Sequence, residues 1–260
     1  MPKRKDMNDI VAIIRTVGER TTGLVEYACK QEVDDVRVIR GMSLTDSTRE
    51  LCRQAVDSGK KWVLMIGGDY IPRPGFIKAL RAEADNAEPR HMFVKGIIRD
   101  RFLYELRGDG GGPMLQRVDL LRKWLDAYER IDNGRTTEAQ FHKYLAAQGY
   151  ASLRTKTYLA LHDYEQHYRD IYRSLFVYGK KRRDAKRLYK RWKDENLPEY
   201  EVALYAHQRG TAHNGPARAD HSLDYGWSES PFSKWEQKPE IPAKKYSDFM
   251  MLAERLWLKL

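Results

Sequence analysis

Short apolar runs alternate with helix-like segments over the first hundred residues of the chain. Three of these runs are too short for helices and predict β-strands at Ile10–Arg15, Val36–Ile39 and Trp62–Ile66. The third is fully apolar, as expected of a strand that is covered on both faces. The segments between them predict a helix that ends near Lys30 and a second one over Ser43–Ser58. This alternation predicts an α/β fold with a Rossmann-like, mostly parallel sheet flanked by helices.

The pattern continues less regularly after the third run. We expect a strand at His91–Ile98, a short apolar stretch at Tyr158–Leu161, and helices at Phe76–Ala84, Leu115–Asp126, Thr137–Gln148 and Tyr246–Leu260. Tyr164–Leu197 predicts one or two long helices, and the Gly, Pro and Ser content of Gly210–Lys245 predicts an irregular segment. The chain is therefore expected to have two parts, an α/β domain at residues 1–165 and a helical extension at residues 166–260.

Composition excludes several classes of protein. Hydrophobic residues make up 42% and aromatic residues 11% of the chain, which is ordinary for a globular core and excludes wholesale disorder. The longest apolar runs have about five residues, whereas a transmembrane helix needs about 20, so we expect no transmembrane segment. The first residues are basic but lack the apolar stretch of a signal peptide, so we expect a cytoplasmic protein. Cys29 and Cys52 form no metal or redox motif and are expected to be reduced, buried thiols.

Positive charge is concentrated in one segment. Of the net charge of +10, residues 180–193 carry nine Lys and Arg against one Asp, which is eight of the ten excess charges. In the remainder of the chain, positive and negative charges are nearly equal in number. The basic character therefore belongs to one element of the extension.

Polar residues follow the predicted parallel strands at the edge where ligands bind in such sheets. Arg15 and Thr16 follow the first strand, Arg40 the second and Asp69 the third. A carboxylate held after a buried strand is suited to bind a divalent cation against a phosphate. The alternative is that Asp69 only caps the helix that follows it.

Four motifs in order resemble those of the GT-A-fold glycosyltransferases, above all the inverting family 2, over roughly residues 8–165. The segment WVLMIGGDYIPRPGF places Asp69 at the last position of a DxD-type motif, with Gly67 in place of the first aspartate. Gly111, Gly112 and Pro113 are similar to the glycine-rich turn on the acceptor side. Glu138 lies where the family carries its xED signature. His162 follows Gly149 by thirteen residues, where the family often has a metal-binding histidine.

This resemblance implies a hexosyltransferase that moves a sugar from a nucleotide-diphosphate donor to an acceptor hydroxyl with inversion. It implies that Glu138 is the general base and that Asp69 and His162 hold a divalent cation. A nitrogen ligand beside an oxygen ligand favours Mn²⁺ over Mg²⁺. Glu138 as a helix N-terminal carboxylate and His162 as a core histidine remain the plainer alternatives. The residues expected to bind the donor are Arg15, Thr16, Glu19, Arg40, Gly68 and Asp69.

The chain also departs from the family pattern. The second strand of the family usually ends in aspartates that hold the nucleotide, and Arg40 stands there instead. The identity of the donor nucleotide is therefore open. We expect a UDP-sugar, with a GDP-sugar as an alternative. Arg15 replaces a frequent proline and is positioned to reach a phosphate.

The basic segment 180–193 has three interpretations. Its cations and the aromatic residues around it are compatible with an anionic membrane surface and a lipid-linked glycan acceptor. They are also compatible with DNA phosphates and a modified nucleic acid as acceptor, with the aromatic rings stacked on an extruded base. The third interpretation is a solvated helix whose tyrosines pack back onto the protein.

Two other functions fit parts of the sequence. A nucleotidyltransferase would use a similar sheet, but it usually has a GxGxR-like loop after the first strand, which Thr16–Gly23 matches poorly. A non-catalytic nucleic-acid-binding protein would depend on the basic segment alone. We carry the glycosyltransferase as the main hypothesis and these two as alternatives.

Overall fold

A computed structural model describes residues 7–103, 106–107, 112–128, 138–181, 185–215, 223–236 and 238–257. Its strands are β1 (Ile10–Thr16), β2 (Asp35–Arg40), β3 (Trp62–Gly67), β4 (Tyr70–Pro72), β5 (His91–Asp100), β6 (Leu106–Arg107), β7 (Met114–Arg117) and β8 (Ala151–His162). Its helices are α1 (Thr22–Glu32), α2 (Leu44–Asp57), α3 (Phe76–Asp85), α4 (Val118–Tyr128), α5 (Glu138–Ala146), α6 (Tyr168–Lys181), α7 (Lys186–Glu195), α8 (Pro198–Ala212) and α9 (Tyr246–Trp257).

The described strands form one sheet in the order β2-β1-β3-β7-β5-β8-β4, with β6 paired to β5. Parallel pairing joins β1 to β2, β1 to β3 and β5 to β8, whereas β7 and β4 run antiparallel to their neighbours. The predicted α/β class with a mostly parallel, helix-flanked sheet and a helical C-terminal part is confirmed. The carboxyl ends of β1, β3, β5 and β8 therefore lie at one edge.

Alternation of side chains along β1 explains why helices cover both faces of the sheet. In β1, Ile10 and Ile14 pack into the core that α1, α3 and α9 share, whereas Val11 and Ile13 pack into the core that α2, α4 and α5 share. All four side chains are almost fully buried. A continuous apolar run is what a strand buried on both faces requires.

One predicted element begins at a different residue in the structure. Leu115–Arg117 was predicted as the start of a helix but belongs to β7, and α4 begins only at Val118. Leu115 pairs with Leu64 of β3 and Val94 of β5, so sheet pairing outweighs the helical pattern there. The short apolar stretch Tyr158–Leu161 lies near the end of the longer strand β8.

The C-terminal helices have their own apolar core, which includes Tyr172 and Phe176 of α6, Trp192 of α7 and Tyr200 of α8. Helices α6 and α8 touch through glycines: a Cβ added to Gly210 would lie 2.0 Å from the Phe176 carbonyl oxygen. The irregular segment predicted from Gly210 begins later, because α8 continues to Ala212. The division of the chain into domains at residue 165 stays a prediction.

None of the helices in the described part of the chain is long and apolar enough to cross a membrane. Cys29 and Cys52 are both buried thiols, as predicted.

Candidate functional site

Asp69 and His162, which are 93 residues apart, meet at the carboxyl-end edge of the sheet. Asp69 follows β3, and His162 is the last residue of β8. The Nε2 atom of His162 lies 3.2 Å from Oδ2 of Asp69. Strand β4 joins them, because Tyr70 is the cross-strand partner of His162. The Asp69 side chain is 31% exposed, so a ligand can reach it.

A second carboxylate, that of Asp163, completes a cluster that fits a divalent cation. Ligand atoms of Asp69, His162 and Asp163 lie within 4.8 Å of one another. Asp163 adopts a φ of +58°, which turns the chain sharply after β8, and its N–H donates to the Asp69 carbonyl oxygen at 3.1 Å. Two carboxylates and an imidazole are hard and borderline donors, a set that divalent metals accept. The described residues therefore contain a possible metal site.

The charges of the cluster perturb one another. Burial opposes ionisation of Asp69, but the attraction of His162 outweighs it and lowers the pKa of the Asp69 carboxyl. Burial disfavours the imidazolium, yet Asp163 and the other acidic neighbours raise the pKa of His162 well above its usual value. Burial raises the pKa of Asp163 to about 7. These carboxylates compete for one positive partner, which is the electrostatic setting that attracts a cation.

The loop after β1 packs directly against the glycine before Asp69. Thr16 Oγ1 contacts Glu19 Oε2 at 2.5 Å and Thr22 Oγ1 at 2.7 Å, and the Val17 N–H donates to Glu19 at 2.9 Å. Burial, with Asp69 as the next cause, raises the pKa of Glu19. A Cβ added to Gly68 would lie within 3.0 Å of the Thr16, Glu19 and Thr22 side-chain oxygens. Of the donor-binding residues predicted from the sequence, the structure thus brings Thr16, Glu19 and Gly68 to Asp69.

The two predicted donor-binding arginines differ in position. Arg15 donates from Nη1 to Thr48 Oγ1 at 2.9 Å, and its charge is among the causes that lower the pKa of Asp69. Arg40 lies beside Thr16 in the strand register, but its side chain forms an ion pair with Glu26 at 3.4 Å and is 60% exposed. The Arg15 charge therefore acts on Asp69 although its side chain bonds to α2, whereas the Arg40 side chain pairs with α1.

The acceptor-side residues are only partly described. Gly112 and Pro113 precede β7, whose Met114 pairs with Met65 of β3. They therefore reach the sheet edge that carries Asp69. Gly111 lies outside the described residues. Glu138 is the first residue of α5, and its side chain lies outside what the structure describes.

Residues 186–193 of the basic segment lie in α7, an amphipathic helix whose aromatic residues point inward. Trp192 is buried in the C-terminal core, and Tyr189 packs against that core. The outward face of α7 carries exposed cations: Lys186, Arg187, Lys190, Arg191 and Lys193. Arg182 and Arg183 lie outside the described residues. The rings are thus engaged within the protein, and the idea that they stack on an extruded base is wrong for Tyr172, Phe176 and Trp192, which are buried.

Sequence reasoning missed two carboxylates at the site, Asp100 and Asp163. Asp100 ends β5, is the cross-strand partner of His162 and is 2% exposed. The rule that found Asp69, a polar residue directly after a buried strand, applies equally to Asp100 after Ile97 and Ile98. Asp163 had no comparable signal, because only the turn after β8 brings it back to Asp69.

Comparison with known proteins gives structural likeness without a sequence family. No protein-family model matches the chain, and no curated protein matches it. Solved structures with a similar arrangement include a glycosyltransferase involved in glycosylation of the major capsid of PBCV-1, with 11% identity over 60% of this chain and 93% of that chain and a TM-score of 0.40.

Two further similar structures belong to other enzymes. One is a 4-diphosphocytidyl-2C-methyl-D-erythritol synthase from Anaerococcus prevotii, with 14% identity over 60% of this chain and 89% of that chain and a TM-score of 0.39. The other is a CMP:2-keto-3-deoxy-manno-octonic acid synthetase in complex with CTP, with 11% identity over 58% of this chain and 90% of that chain and a TM-score of 0.39.

Proposed function

We propose that this chain is a metal-assisted glycosyltransferase that moves a sugar from a nucleoside-diphosphate sugar to an acceptor hydroxyl. The observation that carries the proposal is the meeting of Asp69 and His162 at 3.2 Å, beside the loop after β1 and at the carboxyl-end edge of the sheet. This edge is where α/β sheets of this kind bind nucleotides. The four sequence motifs support the same assignment, and two of them give Asp69 and His162 as metal ligands.

The proposed cation is held by Asp69 and His162, with Asp163 as a further ligand, and the mixed nitrogen and oxygen donors favour Mn²⁺. When bound, a divalent cation neutralises the charge of a departing nucleoside diphosphate. Arg15, near Asp69, adds a fixed positive charge for the same phosphates. Thr16 and Glu19 line the donor pocket, and Gly68 keeps the backbone free of a side chain there.

We assign the proton transfer to Glu138 at the first position of α5. A carboxylate in the first turn of a helix is favoured in its ionised form, as a general base requires. The acceptor oxygen forms a bond to the anomeric carbon, its proton passes to Glu138, and the bond from that carbon to the diphosphate oxygen breaks. Attack from the opposite face inverts the anomeric carbon. Gly112 and Pro113 border the acceptor in this proposal.

The outward cations of α7 favour an anionic acceptor, and we propose a modified nucleic acid, bound through its phosphates. Counterion release makes such binding fall steeply as salt rises. Binding of duplex DNA would be measured between about 50 and 200 mM salt for the wild type and for an Arg187→Glu, Lys190→Glu, Lys193→Glu variant. A lower affinity with a shallower salt slope in the variant supports this acceptor. Equal binding by both proteins would leave a glycan, free or lipid-linked, as the acceptor.

A ligand screen tests the reaction class. The melting temperature would be measured with UDP-, GDP- and CMP-sugars and with nucleoside triphosphates, each with and without Mn²⁺, because a ligand that binds only the native state raises it. Donor hydrolysis and transfer would then be compared in wild type, Asp69→Asn and Glu138→Gln. A metal-dependent shift with a nucleotide sugar and loss of turnover in both variants are expected. Turnover unchanged in both variants would overturn the proposal. Pyrophosphate release from a triphosphate would indicate a nucleotidyltransferase instead.

A further inference from the structure

Asp100 lies directly behind the imidazole of His162. Its Oδ2 atom is 2.9 Å from Nδ1 of His162, on the side of the ring opposite to Asp69. Asp163 also approaches Nδ1, but at 3.6 Å it is beyond hydrogen-bond distance, and its Oδ2 accepts from the Ser174 hydroxyl instead. Asp100 is therefore the hydrogen-bond partner of Nδ1.

The second oxygen of Asp100 is also engaged. Its Oδ1 atom accepts the backbone N–H groups of Phe102 at 3.0 Å and Leu103 at 2.9 Å. The side chain is 3% exposed, so both oxygens are satisfied inside the protein. An ionised carboxylate only accepts hydrogen bonds, so Nδ1 must carry the proton that they share. Nε2, which faces Asp69, is then the ring nitrogen left to bind a cation, and it gives up its own proton when the cation binds.

Helix α7 holds the backbone turn at residues 100–103, which orients Asp100. The indole N–H of Trp192 donates to the Phe102 carbonyl oxygen at 3.0 Å in a buried hydrogen bond. The Phe102 ring packs edge-on against Trp192 and against Tyr200 of α8. A side chain 90 residues further along the chain thus sets the position of the turn that orients Asp100.

We propose that Asp100 is a positioning residue that fixes the tautomer and orientation of His162 for a divalent cation, and that Trp192 holds the turn on which Asp100 depends. The role is the one that carboxylates behind metal-binding histidines have in general. The inference rests on the proposed function only in requiring that a divalent cation binds at Asp69 and His162. It also means that the C-terminal helices help to shape the metal site.

The informative substitution is Asp100→Asn. The Asn oxygen is needed by the two backbone N–H groups of Phe102 and Leu103, so its NH₂ group faces Nδ1 of His162. Nδ1 then accepts, Nε2 carries the proton, and the ring no longer offers a lone pair toward Asp69. The fold keeps its contacts while the tautomer is reversed. Asp170→Asn is the matched control, because Asp170 is a neighbouring acidic residue that pairs with Arg173 at 3.0 Å rather than with His162.

The experiment is a titration of each full-length protein with Mn²⁺ alone, followed by electron paramagnetic resonance, with electron spin echo modulation to detect a nitrogen bound to the ion. Wild type and Asp170→Asn are expected to bind Mn²⁺ with similar Kd and to show imidazole nitrogen modulation. Asp100→Asn is expected to bind about 10- to 100-fold more weakly and to lose that modulation. Trp192→Phe, which keeps a ring but loses the N–H, is expected to weaken binding by a smaller factor of about 3.

Circular dichroism would establish that each variant is folded. Equal Kd and equal nitrogen modulation in wild type and Asp100→Asn would overturn this inference while leaving the metal site in place. If Asp100→Asn does not fold, the Trp192→Phe variant tests the inference in its place. A Kd for Mn²⁺ and a nitrogen modulation equal to those of the wild type in Trp192→Phe would then overturn the inference. Wild-type protein that binds no Mn²⁺ would contradict the proposed function itself, and with it this role for Asp100.

Discussion

The Asp69 carboxylate and the His162 imidazole lie 3.2 Å apart, although they come from the ends of β3 and β8. Neither residue is a metal ligand on sequence evidence alone, since each has an ordinary structural explanation. Their meeting depends on the sheet, in which the short strand β4 pairs with β8 and carries Asp69 to His162. The site is therefore a product of the fold as a whole.

Gly68 is expected to tolerate no side chain. A Cβ there would lie 2.6 Å from Thr22 Oγ1, 2.8 Å from Glu19 Oε2 and 2.9 Å from Thr16 Oγ1. Gly68→Ala should lower the free energy of unfolding by about 1–3 kcal/mol and weaken nucleotide binding, because these buried groups must shift. Gly23→Ala is the control, since its Cβ has no neighbour closer than 3.8 Å. Urea denaturation measures the free energy of unfolding of both variants. Equal stability of the two variants would contradict the close packing of the loop.

Packing of α6 on α8 requires glycine at the contact. Gly210→Ala should lower the free energy of unfolding by about 3 kcal/mol, because its Cβ would overlap the carbonyl oxygen of Phe176 at 2.0 Å. Ala203→Gly at a buried position of the same helix should cost only about 1 kcal/mol, chiefly through helix propensity. Thermal unfolding, monitored by circular dichroism, measures the stability of both variants. A Gly210→Ala variant as stable as wild type would show that the helices are further apart.

The two arginines predicted to bind the donor should differ in function. Arg15→Gln should weaken binding of UDP about tenfold, since its charge acts on Asp69 and a hydrogen bond to a charged group contributes about 1.5–3 kcal/mol. Arg40→Gln should change the affinity little, because its side chain pairs with Glu26 in solvent. Isothermal titration calorimetry measures both Kd values. A larger loss for Arg40→Gln would restore the sequence-based assignment of Arg40 to the donor site.

Cys29 should be unreactive in the native protein. It has no exposed surface, and burial raises the pKa of its thiol, so the reactive thiolate is scarce at pH 8. Mass spectrometry after iodoacetamide treatment should find Cys29 unmodified before denaturation and modified after it. Rapid alkylation of native protein would mean that α1 opens from the sheet.

Much of the sheet could be predicted because its strands are apolar on both faces. The runs that become β1, β3 and β5 have no competing helical interpretation at their length. Periodicity alone does not predict strand β7, because Leu115, Val118 and Leu121 recur every three residues as in a helix, and only pairing with β3 and β5 sets the strand apart. The first half of β8 is polar and partly exposed, so it lacks the hydrophobic signal of a strand.

Prediction of the site had similar limits. Asp69 was found because it follows a buried strand, and His162 through its spacing from Gly149 in the family resemblance. Asp163 depends on a left-handed turn, and the role inferred for Asp100 depends on a hydrogen bond from Trp192 to the Phe102 carbonyl. Neither relation leaves a pattern in the sequence. The role of Glu138 stays a prediction.

The most direct measurement of the central claim is the affinity of UDP and GDP, each with and without Mn²⁺, for the wild type and for Asp69→Asn. If Asp69 and His162 hold a cation against the diphosphate, Mn²⁺ should strengthen binding of one of these nucleotides at least about tenfold in the wild type, or about 1.4 kcal/mol. The same addition should have little effect on Asp69→Asn. Binding that is independent of Mn²⁺ in the wild type, or enhanced equally in the variant, would contradict the account.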